Sequence, residues 1–299
     1  MKTLVVIAGP TASGKTALAM KIAAFLQTEI VNADSRQFYR GMDIGTAKPT
    51  PVELSLVKHH FIDILSPEED YTVGTYEHEA LKVISEIFRN HDQAILVGGS
   101  GLYLQAVCEG LDELPPASPE IRSRLQKNLK EQGIVSLQNE LETLDPEYYK
   151  SVDRNNPHRL IRAIEVCILS GKKYSALRKS EPKKRPFEII KIGIRAERNV
   201  LYERINKRVD EMINAGLVEE ARNLLPLKKS NALQTVGYQE LFSFFEGKYN
   251  LEHAISEIRK NTRRYAKRQL TWFKKDLGIH WFPPDHDEDV LKTLHKMLS

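Results

Sequence analysis

A parallel α/β sheet flanked by helices, interrupted by a helical insertion domain, is the fold that this 299-residue sequence predicts. Three observations carry it. Apolar runs of strand length alternate with amphipathic helical stretches, the pattern of βαβ units. Two of those runs end in glycine-rich turns, at Gly9–Thr16 and Gly98–Tyr103. A further stretch, bounded by Leu114-Pro115-Pro116 and by Glu181-Pro182-Lys183-Lys184-Arg185-Pro186, reads as helices alone. The domains expected are 1–114 for the first part of the core, 115–186 for the insertion and 187–299 for the rest of the core.

The first apolar run, Leu4–Ala8, is long enough for a buried strand and leads into Gly9, Pro10, Thr11, Ala12, Ser13, Gly14, Lys15 and Thr16. That octet fits a phosphate loop: a glycine, four residues, then Gly-Lys-Thr. Ala17–Leu26 follows with Leu18, Ile22, Phe25 and Leu26 at helical spacing. Glycines let the backbone wrap an anion, the N–H groups of the first helical turn point at it, and the helix dipole favours negative charge. Lys15 adds a cation, and the Thr16 hydroxyl suits Mg²⁺. A chance Gly-rich turn would explain the octet alone, but not the strand before it and the helix after it. The sheet is therefore P-loop NTPase-like, and its expected ligand is a di- or triphosphate.

Glu29–Ala33 reads as a second strand, ending at Asp34, Ser35, Arg36 and Gln37. A carboxylate there sits where open α/β sheets place their ligands. Asp-Ser is equally good turn or cap chemistry, and the residues alone leave both readings open. Gly41–Pro51 carries too many breakers for a regular element. His59–Ile64 reads as a short strand whose paired histidines point to opposite faces, which suits packing or the surface better than a metal. Tyr76–Asn90 is an amphipathic helix and Gln93–Val97 a buried strand, so the turn at Gly98–Tyr103 is expected near the phosphate loop.

Composition narrows the class. A chain 41% hydrophobic and 28% charged is that of an ordinary soluble protein. No apolar run approaches about 18 residues, so no membrane span is expected, and the first strand starts too near Met1 for a signal-peptide layout. Two cysteines, Cys108 and Cys167, exclude a disulfide framework and a four-Cys zinc site. A cytoplasmic location follows as the expectation.

In the insertion, Glu120–Lys130, Ile134–Thr143 and Pro157–Ser170 read as helices, and residues 117–186 hold fifteen Lys/Arg against nine Asp/Glu. A mildly basic, mobile insertion is expected. The core resumes with the strand Phe187–Arg195 and the helix Val200–Ala215, where Arg204 and Arg208 stand one turn apart. Guanidinium groups fork onto phosphate oxygens, although a solvated face with Glu203 and Asp210 as ion-pair partners fits the bare pattern better. The long helix from about Leu251 to Asp276 has a packing stripe of Leu251, Ile255, Ile258, Thr262, Tyr265, Gln269 and Trp272. From Arg259 to Lys275 it holds eight cations, Arg263, Arg264, Lys267 and Arg268 among them, and no anion, in a chain whose net charge is only +4. Solvated faces normally mix signs, so an unmixed one predicts a nucleic-acid backbone as partner.

Taken in order, Gly9–Thr16, Asp34–Gln37 with Tyr39, Gly41–Pro49, Gly98–Tyr103, Asn156–Glu165, Val236–Glu240 and Thr262–Gln269 with Trp272 resemble the tRNA dimethylallyltransferases, the bacterial tRNA isopentenyltransferase family, over nearly the whole chain. The resemblance implies transfer of a dimethylallyl group from dimethylallyl diphosphate to the exocyclic N6 amine of an adenine. That adenine is the one 3′-adjacent to the anticodon of a tRNA anticodon stem-loop, and no nucleotide is hydrolysed. Asp34 is implied as the general base, with Ser100, where many relatives carry Thr, orienting Asp34 or the amine. Lys15, Mg²⁺ on Thr16, the loop N–H groups and Arg208 are implied to stabilise the leaving diphosphate.

The family match also implies RNA contacts. They come from Asp34, Ser35, Arg36, Gln37 and Ser100, from Arg122, His158, Arg159, Leu160, Ile161 and Arg162 in the insertion, from Val236, Gly237 and Tyr238 up to Glu240, and from the basic helix. His158 and Asn156 depart from a commoner Gln and Asp. A stacked adenine has to be drawn out of its loop into a channel, and a monomer is expected of an enzyme that embraces a stem-loop. The resemblance is to the bacterial form, so the zinc finger of eukaryotic relatives is not expected after Trp281-Phe282.

Three other classes compete. An adenylate isopentenyltransferase, acting on free AMP, ADP or ATP, would use the same donor without needing the basic helix. A small-molecule P-loop kinase would turn over a nucleoside triphosphate, and no clear adenine-binding signature is visible. A non-catalytic RNA-binding protein with a vestigial loop would not need Lys15, Thr16 and Asp34 intact.

Overall fold

Strand β1 (Thr3–Ala8) is buried along its whole length, as a parallel strand covered by helices on both faces must be. Its side chains alternate between two cores. Leu4, Val6 and Ala8 join the larger cluster on one face of the sheet, Val5 and Ile7 the smaller one on the other. The computed structural model describes residues 1–178 and 181–299 and divides into two units, Met1–Glu109 with Lys184–Ser299, and Gly110–Lys183.

The first unit continues from β1 through α1 (Lys15–Leu26), β2 (Ile30–Asn32), α2 (Pro51–Leu56), β3 (His59–His60), α3 (Val73–Asn90), β4 (Gln93–Gly98) and α4 (Gly101–Glu109). The second unit holds α5 (Pro119–Gln132), α6 (Ile134–Leu144), α7 (Pro146–Ser151), α8 (Pro157–Ser170) and α9 (Tyr174–Leu177). The first then resumes with β5 (Glu188–Ile194), α10 (Arg198–Asn214), α11 (Leu217–Leu224), α12 (Tyr238–Phe245), α13 (Leu251–Phe273), β6 (Ile279–Phe282) and α14 (Asp287–Leu298). Six strands form one sheet in the order β3-β2-β4-β1-β5-β6, every pair parallel. The α/β sheet flanked by helices is the expected fold.

The differences from expectation are local and have causes. The strand expected over His59–Ile64 stops at His60, because Phe61 and Asp63 take left-handed backbone (φ 63° and 55°) that ends pairing. The breaker-rich loop gives way at Pro51 to α2, nucleated by a Thr50/Glu53 capping box with proline in the first turn. The long helix stops at Phe273 rather than Asp276, in a turn where the N–H groups of Lys275 and Asp276 bond back to Trp272 and Phe273.

The second unit has its own core of Leu125, Leu137, Leu141, Leu160 and Ile164. Within it lies a fully buried Glu165, held by Arg122 Nε at 2.9 Å, Arg162 Nη1 at 2.6 Å and the Ser118 N–H at 2.8 Å. Asn156 caps α8 by accepting the Arg159 N–H. An Asp would serve the same end, so the departure there keeps the cap.

Candidate active site

The phosphate loop joins the carboxyl end of β1 to the amino end of α1, where the sheet leaves its ligand crevice. Gly14 caps the helix in left-handed backbone at φ 92°, which a side chain would strain, and Ala12 is left-handed too at φ 61°. Ser13 is buried, and its hydroxyl oxygen has no hydrogen-bond partner. Lys15 Nζ rests against the Pro10 carbonyl at 3.3 Å.

A cavity of about 450 Å³ opens beside the loop. Its walls bring together Thr11, Lys15 and Thr16 from the loop, Asp34–Gln37 from beyond β2, Arg208 from α10, Val236 and Gly237 before α12, and Tyr265, Arg268 and Gln269 from α13. Arg208 also lines a wider cleft of about 910 Å³ shared with Ala12 and Gly14, and Ala47, Pro49 and Met212 border both spaces with it. Burial brings the Lys15 ammonium down to about 8, with the Asp34 carboxylate opposing and Arg208 assisting. Burial also lowers Arg208 from its ordinary value, again opposed by Asp34. Two cations held in one partly desolvated place with one carboxylate are poised for a polyanion that would repay their lost hydration.

Asp34 both shapes its turn and lines the cavity. One carboxylate oxygen accepts the Arg36 N–H at 3.0 Å and shapes the turn, while the carboxylate remains within electrostatic reach of Lys15 and Arg208. Ser100 is held beside Ser35 and Tyr265. Its hydroxyl meets the Ser35 hydroxyl at 3.3 Å and the Ser35 N–H at 3.4 Å, and reaches the Tyr265 phenol, rather than the Asp34 carboxylate. Arg204 pairs with Asp285 and stands beside Gly14 in the wider cleft, while Arg208 is the arginine of this helix that also lines the smaller cavity.

Several residues expected at an RNA are supports. Tyr238 is fully buried, and its hydroxyl donates to Glu220 at 2.7 Å. Glu220 in turn accepts the N–H groups of Asp43, Ile44 and Gly45, pinning the glycine-rich loop that borders the cavity. Gln37 lines the cavity but donates its amide to the Thr46 and Ala47 carbonyls. In the second unit Leu160 and Ile161 are core, and Arg122 and Arg162 are engaged by Glu165, while His158 and Arg159 are exposed. On α13, Arg264, Lys267 and Arg268 are exposed, whereas Arg263 bonds Asn206 and lies over the Tyr202 ring. The unmixed charge of that helix is also partly cancelled, by Asp210 on Arg259 and by Glu257 on Lys260.

Two side chains that hold the cavity's loops are not among the expected site residues. Glu220 gives no signal in sequence, because its three N–H partners lie far away in the chain. Gln269 does give one, as a glutamine inside an otherwise packing stripe. It is buried, accepts the Thr11 N–H and donates to the Gly99 carbonyl.

A phosphate loop at the end of a parallel sheet, with two cations, a hydroxyl and a carboxylate in one cavity, defines an α/β protein of the P-loop type. Residues 37–276 match a family model described as IPP transferase, and the chain belongs to that family of transferases. It is similar to the tRNA dimethylallyltransferase of Christiangramia forsetii, with 55% identity over 284 residues that cover 95% of this chain and 94% of the relative. Among solved structures it is similar to the full-length tRNA isopentenylpyrophosphate transferase from Bacillus halodurans, at 37% identity and a TM-score of 0.73, covering 100% of this chain and 96% of that one. A eukaryotic dimethylallyltransferase acting on tRNA matches with a TM-score of 0.77 at 26% identity, over 95% of this chain and 74% of that one.

Proposed function

We propose that the protein transfers a dimethylallyl group from dimethylallyl diphosphate to the N6 amine of the adenine 3′-adjacent to the anticodon in tRNA. The observation that carries the proposal is the meeting of Lys15, Arg208 and Asp34 in one cavity whose wall is the cation-bearing helix α13. The bond from the allylic carbon to the diphosphate oxygen breaks, a bond from that carbon to N6 forms, and the amine proton leaves to Asp34. Lys15, Arg208 and the loop N–H groups that remain free stabilise the charge that develops on the departing oxygens.

Mg²⁺ would enter with the diphosphate, and the Thr16 hydroxyl would be its ligand from the protein. A lone hydroxyl on the wall of the phosphate-loop cavity suits a cation that keeps waters and substrate oxygens. Bound there, the ion would neutralise leaving-group charge.

On the first unit the tRNA contacts of this reading are Arg264, Lys267 and Arg268 on α13 and Arg36 at the cavity; the second unit, the insertion read from residues 115–186, offers His158 and Arg159 by itself. No helix is long and apolar enough to cross a membrane among the described residues, and a cytoplasmic monomer is the form proposed. The test is direct. The protein is incubated with Mg²⁺, dimethylallyl diphosphate and an anticodon stem-loop, with AMP in parallel, and the products are weighed. One dimethylallyl unit on the RNA and none on AMP is expected; modified AMP with untouched RNA would move the assignment to the free-nucleotide enzyme.

A further inference from the structure

Gln269 sits in α13 between two turns that belong to different strands. Its Oε1 accepts the Thr11 N–H of the phosphate loop at 2.9 Å, and its Nε2 donates to the carbonyl of Gly99, beyond β4, at 2.8 Å. Missing side chains key the fit. A Cβ on Gly99 would collide with the Gln269 amide, and one on Gly101 with the Trp272 ring, three residues along the same helix. The Thr11 N–H is therefore not among the amides that a diphosphate can use. It is a fixture by which the helix holds the loop.

We infer that Gln269 is a positioning residue for the diphosphate site: through its two hydrogen bonds α13 fixes the phosphate loop and the turn that carries Ser100. The same helix places Tyr265 and Arg268 on the cavity wall, so acceptor-side and donor-side groups share one rigid element. The inference rests on the reading of this cavity as the donor site. Its chemistry is specific to an amide. A carboxylate at that position keeps the acceptor for Thr11 but loses the donor to Gly99, and it sets negative charge beside a site for an anion. Once protonated, it has both an acceptor and a donor again.

The test titrates the full-length protein with inorganic diphosphate in Mg²⁺ by calorimetry, for wild type and Gln269→Glu, from about pH 8 down to about pH 6, around the range in which a buried carboxyl regains its proton. Wild type is measured at each pH to remove the titration of diphosphate itself. The expected result is binding about tenfold weaker in Gln269→Glu at the higher pH, the loss of a hydrogen bond beside a charge, and mostly restored at the lower pH. In transfer assays the KM for dimethylallyl diphosphate should follow, with kcat changing much less. A loss independent of pH, or equal affinity of variant and wild type throughout, would assign Gln269 to packing alone. Should Gln269→Glu not fold, Gln269→Met keeps the shape without either bond and should bind diphosphate weakly at every pH; wild-type affinity there overturns the inference. If wild type itself fails to bind diphosphate, the donor-site reading is what has failed, and the inference goes with it.

Discussion

At the scale of single residues, the proposed roles of Asp34 and Lys15 can be separated from their structural duties. Asp34 lends one oxygen to the Arg36 N–H. Asp34→Asn keeps that acceptor and removes the base, so transfer should fall by about 10²–10⁴-fold with the melting temperature unchanged. Asp34→Ala should lose the same activity and, in addition, about 1 kcal/mol with the turn bond. Near-normal transfer by Asp34→Asn would take the base role away from Asp34. Lys15 makes a prediction in pH. Burial brings its ammonium to about 8, and the charged form is the one that grips a diphosphate. Donor capture, read as kcat/KM, should be level below about pH 8 and fall about tenfold per unit above it. Lys15→Arg stays charged and should lose that falling limb, even at a lower plateau; a limb that persists belongs to another group. The linkage sign agrees. A lowered ammonium pKa destabilises the fold while the pH is below the folded value, a cost relieved as pH rises toward 10.5 or as an anion binds.

At the scale of elements, what could be read from sequence was whatever announces itself along the chain. Strands β1, β4 and β5 are continuous apolar or mixed runs of six or seven residues, and α3 and α13 have long stripes. The phosphate loop and Asp34 came with them. Elements shorter than the periods that reveal them did not: α2 and α7 have six residues each, and α11 and α12 eight each, while β3 was legible but only two residues long. Helix α14 did carry a signal, with Val290 and Leu294 buried one turn apart behind three acidic residues in its first turn. Pairings between distant segments were invisible by their nature. That is why α13 reads as wholly uncompensated in sequence, although Asp210 of α10 neutralises Arg259. The RNA prediction for this helix is accordingly narrower than its charge count. Replacing Arg264, Lys267 and Arg268 together by Ala should weaken anticodon stem-loop binding and lower the slope of log K against log[salt] by about 2, three contacts at about 0.7 each. Arg259→Ala should leave the slope alone. An unchanged slope in the triple variant would mean that this face meets no phosphates.

At the scale of the whole molecule, the two units have separate cores, and the second is centred on a charge. Glu165 is fully buried. Burial pushes its carboxyl up, but the guanidinium groups of Arg162 and Arg122 and the Ser118 N–H more than offset that, so its pKa lies below the ordinary value. A depressed carboxylate contributes stability above its unfolded pKa, and that contribution is lost as pH falls through the folded one. The family match implies RNA contacts at both arginines, and nothing in the bare sequence shows that they share a buried anion. Their partner lies 43 residues from Arg122, and it takes a folded unit to bring them together. Glu165→Ala should leave both guanidinium groups without their anion and cost the second unit about 3 kcal/mol, at the lower end for a broken buried pair because Arg122 is half exposed. Local opening follows the lines of separate cores, so hydrogen exchange should quicken across residues 119–170 while β1, α1 and the phosphate loop keep their protection. Diphosphate binding should survive intact, and RNA modification should drop. If exchange instead quickens in both units together, or diphosphate affinity falls with it, the phosphate site depends on the helical unit for its stability, and the chain folds as one cooperative body.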